Sequence, residues 1–177
     1  IYIQIFLTTM IRDKVLLLLK ISKKNNLNIS VAESCTGGLL SSSIIEIPGA
    51  SDIFNSGFVT YSNIAKIKHL GVNKDILKKF GAVSNETSLA MAKGLYKISK
   101  SNLIVSITGV AGPGGGTLKN PVGTVYFTFG VRQNKKTITY FTYRHNFNSK
   151  NRVGIQKKSV NYVLDKFIEI AKTYKLD

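Results

Sequence analysis

Two neighbouring residues with nucleophilic side chains, Ser34 and Cys35, lie in a small-residue turn at 32–38. The turn follows a short run of branched apolar residues at 27–32, which is typical of a buried strand. It precedes a run of small and apolar residues at 39–45 with helical spacing. A turn that opens a helix places its residues near unpaired N–H groups, which stabilise a developing negative charge. The pattern therefore predicts a nucleophile beside an oxyanion site, with an ordinary capped turn as the alternative.

A tyrosine and a lysine five residues apart form a second candidate for chemistry. Tyr61 ends a predicted strand at 54–61, and Lys66 lies in a predicted helix at 63–70. A lysine removed from water there could be neutral and take the proton of a serine hydroxyl. Tyr61 could relay or steady that proton. The alternative is that Tyr61 caps the sheet and Lys66 is a solvated helix residue.

A glycine-rich loop at 109–116 follows the apolar run at 103–108 and could hold a phosphate through its backbone N–H groups. No Gly-Lys-Ser/Thr follows, so the loop is not a Walker A loop, and a strand rather than a helix comes next. Arg152, at the start of the last helix, is a candidate for binding a phosphate or carboxylate with its two-pronged guanidinium. An irregular surface loop and a surface arginine are the alternatives.

The elements that position these residues alternate between strands and helices before ending in a hairpin. Helices are predicted at 11–22, 36–46, 63–70, 74–80, 84–97 and from 152, and strands at 27–32, 54–61, 103–108, 123–131 and 137–143. This order predicts a three-layer α/β/α sandwich with a mixed sheet. Ligands of open α/β sheets bind beyond the carboxyl ends of strands, so we expect the candidate stretches to share one site. We interpret 11–177 as one domain and 1–10 as an N-terminal extension, with Met10 as a candidate start.

Composition narrows the function classes. The 177 residues are 44% hydrophobic and 19% charged, which excludes a disordered or fibrous chain. One cysteine allows no internal disulfide and suits a reducing cytoplasm, and two histidines give no support to a metal site. The apolar N-terminus is interrupted by charges at 12–14, too early for a membrane span. The net charge of +16 is scattered along the chain, which disfavours a specific nucleic-acid partner.

Five motifs together resemble the CinA C-terminal domain family. In chain order they are Ala-Glu-Ser-Cys-Thr-Gly-Gly at 32–38, Gly-Phe-Val-Thr-Tyr-Ser-Asn at 57–63, Gly-Ala-Val-Ser at 81–84, Thr-Gly-Val-Ala-Gly-Pro at 108–113 and Pro-Val-Gly-Thr-Val at 121–125. The resemblance covers 11–172, and its motifs occur in the family's order.

The resemblance implies hydrolysis of nicotinamide mononucleotide to nicotinate mononucleotide and ammonia, a step of pyridine nucleotide salvage, without metal or cofactor. It implies Ser34 as nucleophile, Lys66 as general base and Tyr61 as its helper, with backbone N–H groups at 35–37 holding the oxyanion. It also implies a stand-alone form of the domain that assembles as a homodimer or higher homo-oligomer. The implied substrate-binding residues are Cys35, Thr36, Gly37, Gly38, Asn63, Thr108, Gly109, Ala111, Gly112, Gly114, Gly115 and Arg152.

One segment departs from the family pattern, which usually has a Gly-Asp-Arg-like sequence before the last helix. Here 147–156 lacks the glycine and aspartate, and Arg152 fits only with a one-residue shift. The expected phosphate contact depends on this segment.

Two other hypotheses remain open. The first makes Cys35 the nucleophile with help from Glu33 and Lys66, although adjacent residues at a strand end tend to point in opposite directions. The second is a non-catalytic module that binds nucleotide or DNA in competence or DNA damage. It predicts basic side chains gathered into one groove, and an even spread counts against it.

Overall fold

The structure, a computed structural model, describes residues 2–134, 137–149 and 151–174, with side chains from Met10 onward. The helices are α1 (Tyr2–Lys24), α2 (Leu39–Ile45), α3 (Asn63–Leu70), α4 (Lys74–Phe80), α5 (Asn85–Ser99) and α6 (Arg152–Thr173). The strands are β1 (Ile29–Glu33), β2 (Phe54–Val59), β3 (Leu103–Gly109), β4 (Thr124–Arg132) and β5 (Ile138–Asn146).

The five strands form one mixed sheet in the order β2-β1-β3-β4-β5. β1 lies parallel to both β2 and β3, whereas β4 runs antiparallel to β3 and β5. The parallel strands are joined through helices, and the antiparallel strands β4 and β5 are joined by a hairpin. The carboxyl ends of β1, β2 and β3 therefore meet at one edge of the sheet.

Each face of the sheet is covered by its own helical layer, which confirms the predicted three-layer sandwich. Helices α1, α2 and α6 cover one face and share a core with buried side chains such as Phe127, Phe129 and Phe167. Helices α3, α4 and α5 cover the other face around Met91 and Leu95. Because both faces are covered, β3 and β4 are buried along nearly their whole length.

The face beneath α5 carries a row of buried hydroxyl groups. Ser88 Oγ of α5 lies 3.1 Å from Ser106 Oγ and 2.8 Å from Thr128 Oγ1. Thr128 Oγ1 lies 2.9 Å from Thr142 Oγ1, so the chain of hydrogen bonds crosses three strands. These bonds satisfy the buried hydroxyls and fix α5 laterally on the sheet.

Helix α3 packs against α5 at unusually close range. A Cβ atom at position 94 would overlap the Leu70 carbonyl at the end of α3. Only glycine lets the two backbones approach this closely. The contact fixes α3, which carries Lys66, relative to α5.

Several predicted boundaries shift. α2 begins at Leu39, not at 36, because Gly37 and Gly38 have positive φ angles of 63° and 94° and prolong the turn. α1 extends from Tyr2, so the interval 2–10 continues this helix. Whether 1–10 is an extension stays a prediction.

In the described part of the chain, every helix is too short or too polar to cross a membrane.

Candidate active site

A cavity of about 310 Å³ opens at the carboxyl ends of β1 and β3. Its walls come from the turn after β1, the start of α3, the segment before α5, the glycine loop and the start of α6. The residues that line it are Ser34, Cys35, Tyr61, Lys66, Ala82, Val83, Thr108, Gly109, Val110, Ala111, Gly112, Gly114, Gly115 and Arg152.

Ser34 and Lys66 meet at the base of this cavity. Lys66 Nζ lies 2.9 Å from Ser34 Oγ, and the two side chains are 32 residues apart in sequence. The Ser62 hydroxyl accepts the Ala65 N–H and starts α3 directly after Tyr61, which turns Lys66 back toward the sheet. The structure thus brings together the two residues on which the sequence hypothesis depends.

Lys66 is almost fully buried, with 1% of its surface exposed. Burial lowers the pKa of its amine from 10.5 to about 8, because water no longer stabilises the ammonium form. At pH 7 about one molecule in ten then carries the free base, compared with about one in three thousand for an unperturbed lysine. The amine is therefore able to act as a base near neutral pH.

Two carbonyl oxygens orient the amine. Lys66 Nζ donates to Thr60 O at 2.8 Å and to Tyr61 O at 3.1 Å. A neutral amine has two N–H donors and one lone pair, and the two carbonyls occupy the donors. The lone pair is then left for the Ser34 hydroxyl, which becomes the donor once Lys66 has lost its proton.

The turn after Ser34 leaves few N–H groups free for an oxyanion. Gly37 N donates to Ser34 O at 3.1 Å, and Gly38 N donates to the Glu33 carboxylate at 3.1 Å. Among the described residues, the N–H groups of Cys35 and Thr36 have no protein acceptor. The expectation of donors at 35–37 is therefore narrowed to 35 and 36.

The expectation that Ser34 lies at the N-terminus of a helix is wrong. α2 begins five residues later, and the Glu33 carboxylate accepts its first N–H groups, at Gly38, Leu40 and Ser41. The helix dipole is therefore directed at an internal carboxylate. Stabilisation of an oxyanion would have to come from the turn itself.

Tyr61 holds Lys66 with its carbonyl, not with its hydroxyl. The Tyr61 ring is 63% exposed, and its hydroxyl accepts a hydrogen bond from Arg152 Nη2 at 3.3 Å. In the described structure the hydroxyl makes no hydrogen bond with Ser34 or Lys66. The expected proton relay through this hydroxyl has no contact to support it.

Arg152 lies at the mouth of the cavity despite the altered segment before it. Its Nη1 donates to Gly112 O at 3.0 Å, and its guanidinium lies 6.0 Å from the centre of the Tyr61 ring. The side chain thus spans from α6 to the glycine loop and to the end of β2. Its charge faces a cavity whose lining residues include no carboxylate.

The glycine loop forms one wall of the cavity. Val110 N donates to Thr124 O and Val110 O accepts from Gly123 N, both at 2.8 Å, which fixes the base of the loop. Among the described residues, the N–H groups of Gly114 and Gly115 have no protein acceptor, so they are available to a ligand.

Of the predicted binding residues, four lie outside the cavity lining. Thr36 is buried behind the turn, Gly37 and Gly38 shape the turn, and Asn63 is exposed on α3. The other eight line the cavity with Ser34, Tyr61 and Lys66.

The cavity is also lined by Ala82, Val83 and Val110, which were not predicted as site residues. They give the cavity an apolar wall. Thr108 Oγ1 donates to Ala82 O at 2.7 Å and holds this wall against β3. The Gly-Ala-Val-Ser motif at 81–84 was the available signal.

Cys35 belongs to the core shared by α1, α2 and α6, although the residue also contributes to the cavity lining. It is 4% exposed, and burial raises the pKa of its thiol to about 12. A thiol that resists ionisation is a poor nucleophile at neutral pH. This geometry favours Ser34 over the Cys35 hypothesis.

Two further residues support the turn: Glu33, which the sequence suggested only as a helper of Cys35, and Gln156, which was not predicted. The Glu33 side chain is fully buried and contacts the start of α2. Gln156 Nε2 of α6 donates to Cys35 O at 2.8 Å. Glu33 is part of the first motif, whereas the pattern around Gln156 offered no signal.

Basic side chains lie on both outer layers. In the described residues, α1 and α6 carry ten lysines and arginines, and the segment from α3 to Lys100 carries seven exposed lysines. Ion pairs join Lys14 to Asp165 and Lys23 to Asp52 on the first layer.

Among the described residues, no group of three His, Cys, Asp or Glu side chains could hold a metal ion.

Comparisons with known proteins agree with these features. The model of the CinA C-terminal domain family matches residues 11–171. A competence-damage inducible protein of Clostridioides difficile is 55% identical over 119 residues, which cover 67% of this chain and 28% of that protein. A CinA-like protein of Endomicrobium trichonymphae is 49% identical over 142 residues, covering 80% and 32% respectively. The chain therefore spans about a third of the length of these relatives.

Solved structures match over nearly the whole chain. Competence/damage inducible protein CihA from Agrobacterium tumefaciens has a TM-score of 0.85 at 35% identity, covering 91% of this chain and 95% of that one. The competence damage-inducible protein A from Klebsiella pneumoniae has a TM-score of 0.86 at 25% identity, covering 93% and 99%.

Proposed function

The chain belongs to the CinA C-terminal domain family, and on that premise we propose that it hydrolyses the carboxamide of nicotinamide mononucleotide. The products are nicotinate mononucleotide and ammonia. The observation that carries the proposal is the contact of 2.9 Å between Ser34 Oγ and the buried amine of Lys66, whose pKa is about 8. A serine hydroxyl needs such an adjacent base to attack an amide carbon.

In the first step Ser34 Oγ attacks the carboxamide carbon while its proton passes to Lys66 Nζ. The carbonyl π electrons move to the oxygen and give a tetrahedral oxyanion. The free N–H groups of Cys35 and Thr36 are the candidates to bind it. Lys66 then returns the proton to the amide nitrogen, the C–N bond breaks, and ammonia leaves.

In the second step water attacks the acyl ester on Ser34. Lys66 accepts the water proton and returns it to Ser34 Oγ as the ester bond breaks. The two carbonyl acceptors, Thr60 O and Tyr61 O, hold the amine in the same position for both steps.

The lining of the cavity suits an anionic nucleotide. Arg152 places a guanidinium at the mouth, and the free N–H groups of Gly114 and Gly115 are suited to phosphate oxygens. The apolar wall of Ala82, Val83 and Val110 offers a surface to a planar ring. A carboxamide ring attached to a phosphorylated sugar combines these features.

An ammonia-release assay with nicotinamide mononucleotide, nicotinamide riboside and free nicotinamide tests the proposal. We expect the mononucleotide to be the best substrate, because it alone carries the phosphate for Arg152. Ser34→Ala should abolish ammonia release while the nucleotide still binds in calorimetry. Ser43→Ala is the matched control, since its hydroxyl donates to Leu39 O within α2. Normal turnover by Ser34→Ala would refute the mechanism.

The names of the relatives and the charge of +16 support a second candidate, a non-catalytic DNA-binding module. A DNA-binding module is expected to gather its basic residues into one groove, so their spread over both layers counts against this candidate. A steep salt dependence of DNA affinity without ammonia release would support it.

We also propose that the chain forms a homo-oligomer. Tyr61, Ile64 and Leu118 are large apolar side chains that stay exposed in one copy. Light scattering of the purified protein tests this proposal, and a monomer at micromolar concentration would contradict it.

A further inference from the structure

We propose that Glu33 is a positioning residue, which holds the turn that carries Ser34 in the geometry needed for attack on the substrate. This inference rests on the proposed function of Ser34 and Lys66. Glu33 directly precedes the nucleophile, is fully buried, and has no part in the proton transfers described above.

The carboxylate of Glu33 uses both oxygens to hold the far end of the turn. Oε2 accepts from Gly38 N and Leu40 N, each at 3.1 Å. Oε1 accepts from Ser41 N at 2.8 Å and from Ser41 Oγ at 2.7 Å. The segment from 33 to 41 is therefore a closed ring, with Ser34 as its first member after Glu33.

The backbone of the same residue fixes the base. Glu33 O accepts from Thr60 N at 2.8 Å, and Thr60 O accepts from Lys66 Nζ at 2.8 Å. The nucleophile is thus one peptide bond from Glu33, and the base is connected to it through Thr60. A shift of Glu33 would change the distance between Ser34 Oγ and Lys66 Nζ.

Four donors converge on this side chain, so it has to be an acceptor at every contact. A carboxylate accepts hydrogen bonds at both of its oxygens. The amide of glutamine has the same shape, but its NH₂ group would replace one of these oxygens and face two of the four donors. Aspartate has one methylene fewer and falls short of α2. We therefore expect glutamine to fail despite its matching shape.

A glycine on β2 completes the arrangement. A Cβ atom at position 57 would overlap Ser41 Oγ, so the missing side chain of Gly57 makes room for the hydroxyl that donates to Glu33. Glu33 belongs to the motif at 32–38 and Gly57 to the motif at 57–63. Through Ser41, both residues serve to hold the turn that carries Ser34.

The test compares Glu33→Gln and Ser41→Ala with Ser88→Ala. The last variant is the control, because it removes two buried hydroxyl contacts to Ser106 and Thr128, away from the cavity. For each protein we would measure the melting temperature, kcat and KM for ammonia release, and the rate at which phenylmethanesulfonyl fluoride modifies Ser34. In that modification the Ser34 O–S bond forms, fluoride leaves, and the proton passes to Lys66.

We expect Glu33→Gln to lower kcat and the sulfonylation rate about 100-fold, with KM changed less than about threefold. Ser41→Ala loses one hydrogen bond to a charged group and should lower both rates about tenfold. Ser88→Ala should lower the melting temperature and leave both rates unchanged. A merely structural role of Glu33 would lower the melting temperature alone.

Wild-type sulfonylation rates in folded Glu33→Gln would overturn the proposal. If that variant does not fold, Ser41→Ala decides, since an unchanged rate overturns the proposal and a slowed rate upholds it. The wild type could release no ammonia while Glu33→Gln still slows sulfonylation of Ser34. That result would uphold the role of Glu33 and refute only the proposed substrate. The two proposals can therefore fail separately.

Discussion

Replacing Lys66 by methionine should abolish activity and yet stabilise the protein at neutral pH. The side chain is 1% exposed, and burial lowers the pKa of its amine from 10.5 to about 8. Below pH 8 the folded protein therefore holds a buried ammonium that would be better solvated in the unfolded chain. Methionine has a similar length and no charge.

The magnitude follows from the pKa change. A decrease from 10.5 to about 8 corresponds to about 3 kcal/mol of destabilisation at pH 7. Methionine leaves Thr60 O and Tyr61 O without their donor, at a cost of about 1 kcal/mol each. We expect a net increase of about 1 kcal/mol in the free energy of unfolding at pH 7.

The difference in the free energy of unfolding between the methionine variant and the wild type should change sign at alkaline pH. Between pH 8 and 10.5 the unfolded state binds more protons at Lys66 than the folded state, so the wild type becomes more stable as pH rises. By pH 9.5 this gain is about 2 kcal/mol, and the methionine variant lacks it. The variant should then be about 1 kcal/mol less stable than the wild type.

Urea denaturation of both proteins at pH 7 and pH 9.5 measures this reversal. Burial raises the pKa of the Cys35 thiol from 9.0 to about 12, so stability falls as pH rises above 9. The charge of Lys66 is the smallest contribution to that pKa, so the effect is nearly the same in both proteins and almost cancels in the difference. Lys68→Met, at an exposed position on the same helix, is the control and should show no reversal. A stability difference between Lys66→Met and the wild type that does not change with pH would refute the reasoning.

Three further predictions concern activity. Below pH 8, kcat/KM should rise about tenfold per pH unit as Lys66 loses its proton and level off above, and a flat rate profile from pH 6 to 8 would contradict its role as base. Cys35→Ala should keep kcat within about threefold in the ammonia assay, because the thiol lies in the core, and a loss of activity would revive the Cys35 hypothesis. Arg152→Gln should raise KM for the mononucleotide at least about tenfold and leave KM for the riboside unchanged, whereas equal changes would argue against a phosphate contact.

The sequence was most informative where one physical demand selects the residue types. Branched apolar runs predicted β1 and β3, and the alternation of strands and helices predicted the three layers, because both faces of the sheet had to be covered. The positions of Ser34 and Lys66 at strand ends allowed them to pair, and the resemblance to the family selected that pairing over a solvated lysine. The family was confirmed by the match over 11–171.

Other features depend on contacts that spacing does not encode. The start of α2 moved to Leu39 because a carboxylate from the preceding strand caps it, and a capping side chain outside the helix carries no periodic signal. The direction of the Tyr61 hydroxyl is set by Arg152, which is 91 residues away in sequence. Ala82 and Val83 reach the cavity because Thr108 holds them against β3.

The tight crossing of α3 and α5 has a consequence for variation far from the cavity. Any side chain at position 94 would push the end of α3 off its neighbour, and the amine of Lys66 would move with the helix. If α3 moved by a few tenths of an ångström, the distance over which the proton passes from Ser34 Oγ to Lys66 Nζ would increase. Random mutagenesis scored for catalysis should therefore find position 94 intolerant, although Gly94 is not among the residues that line the cavity.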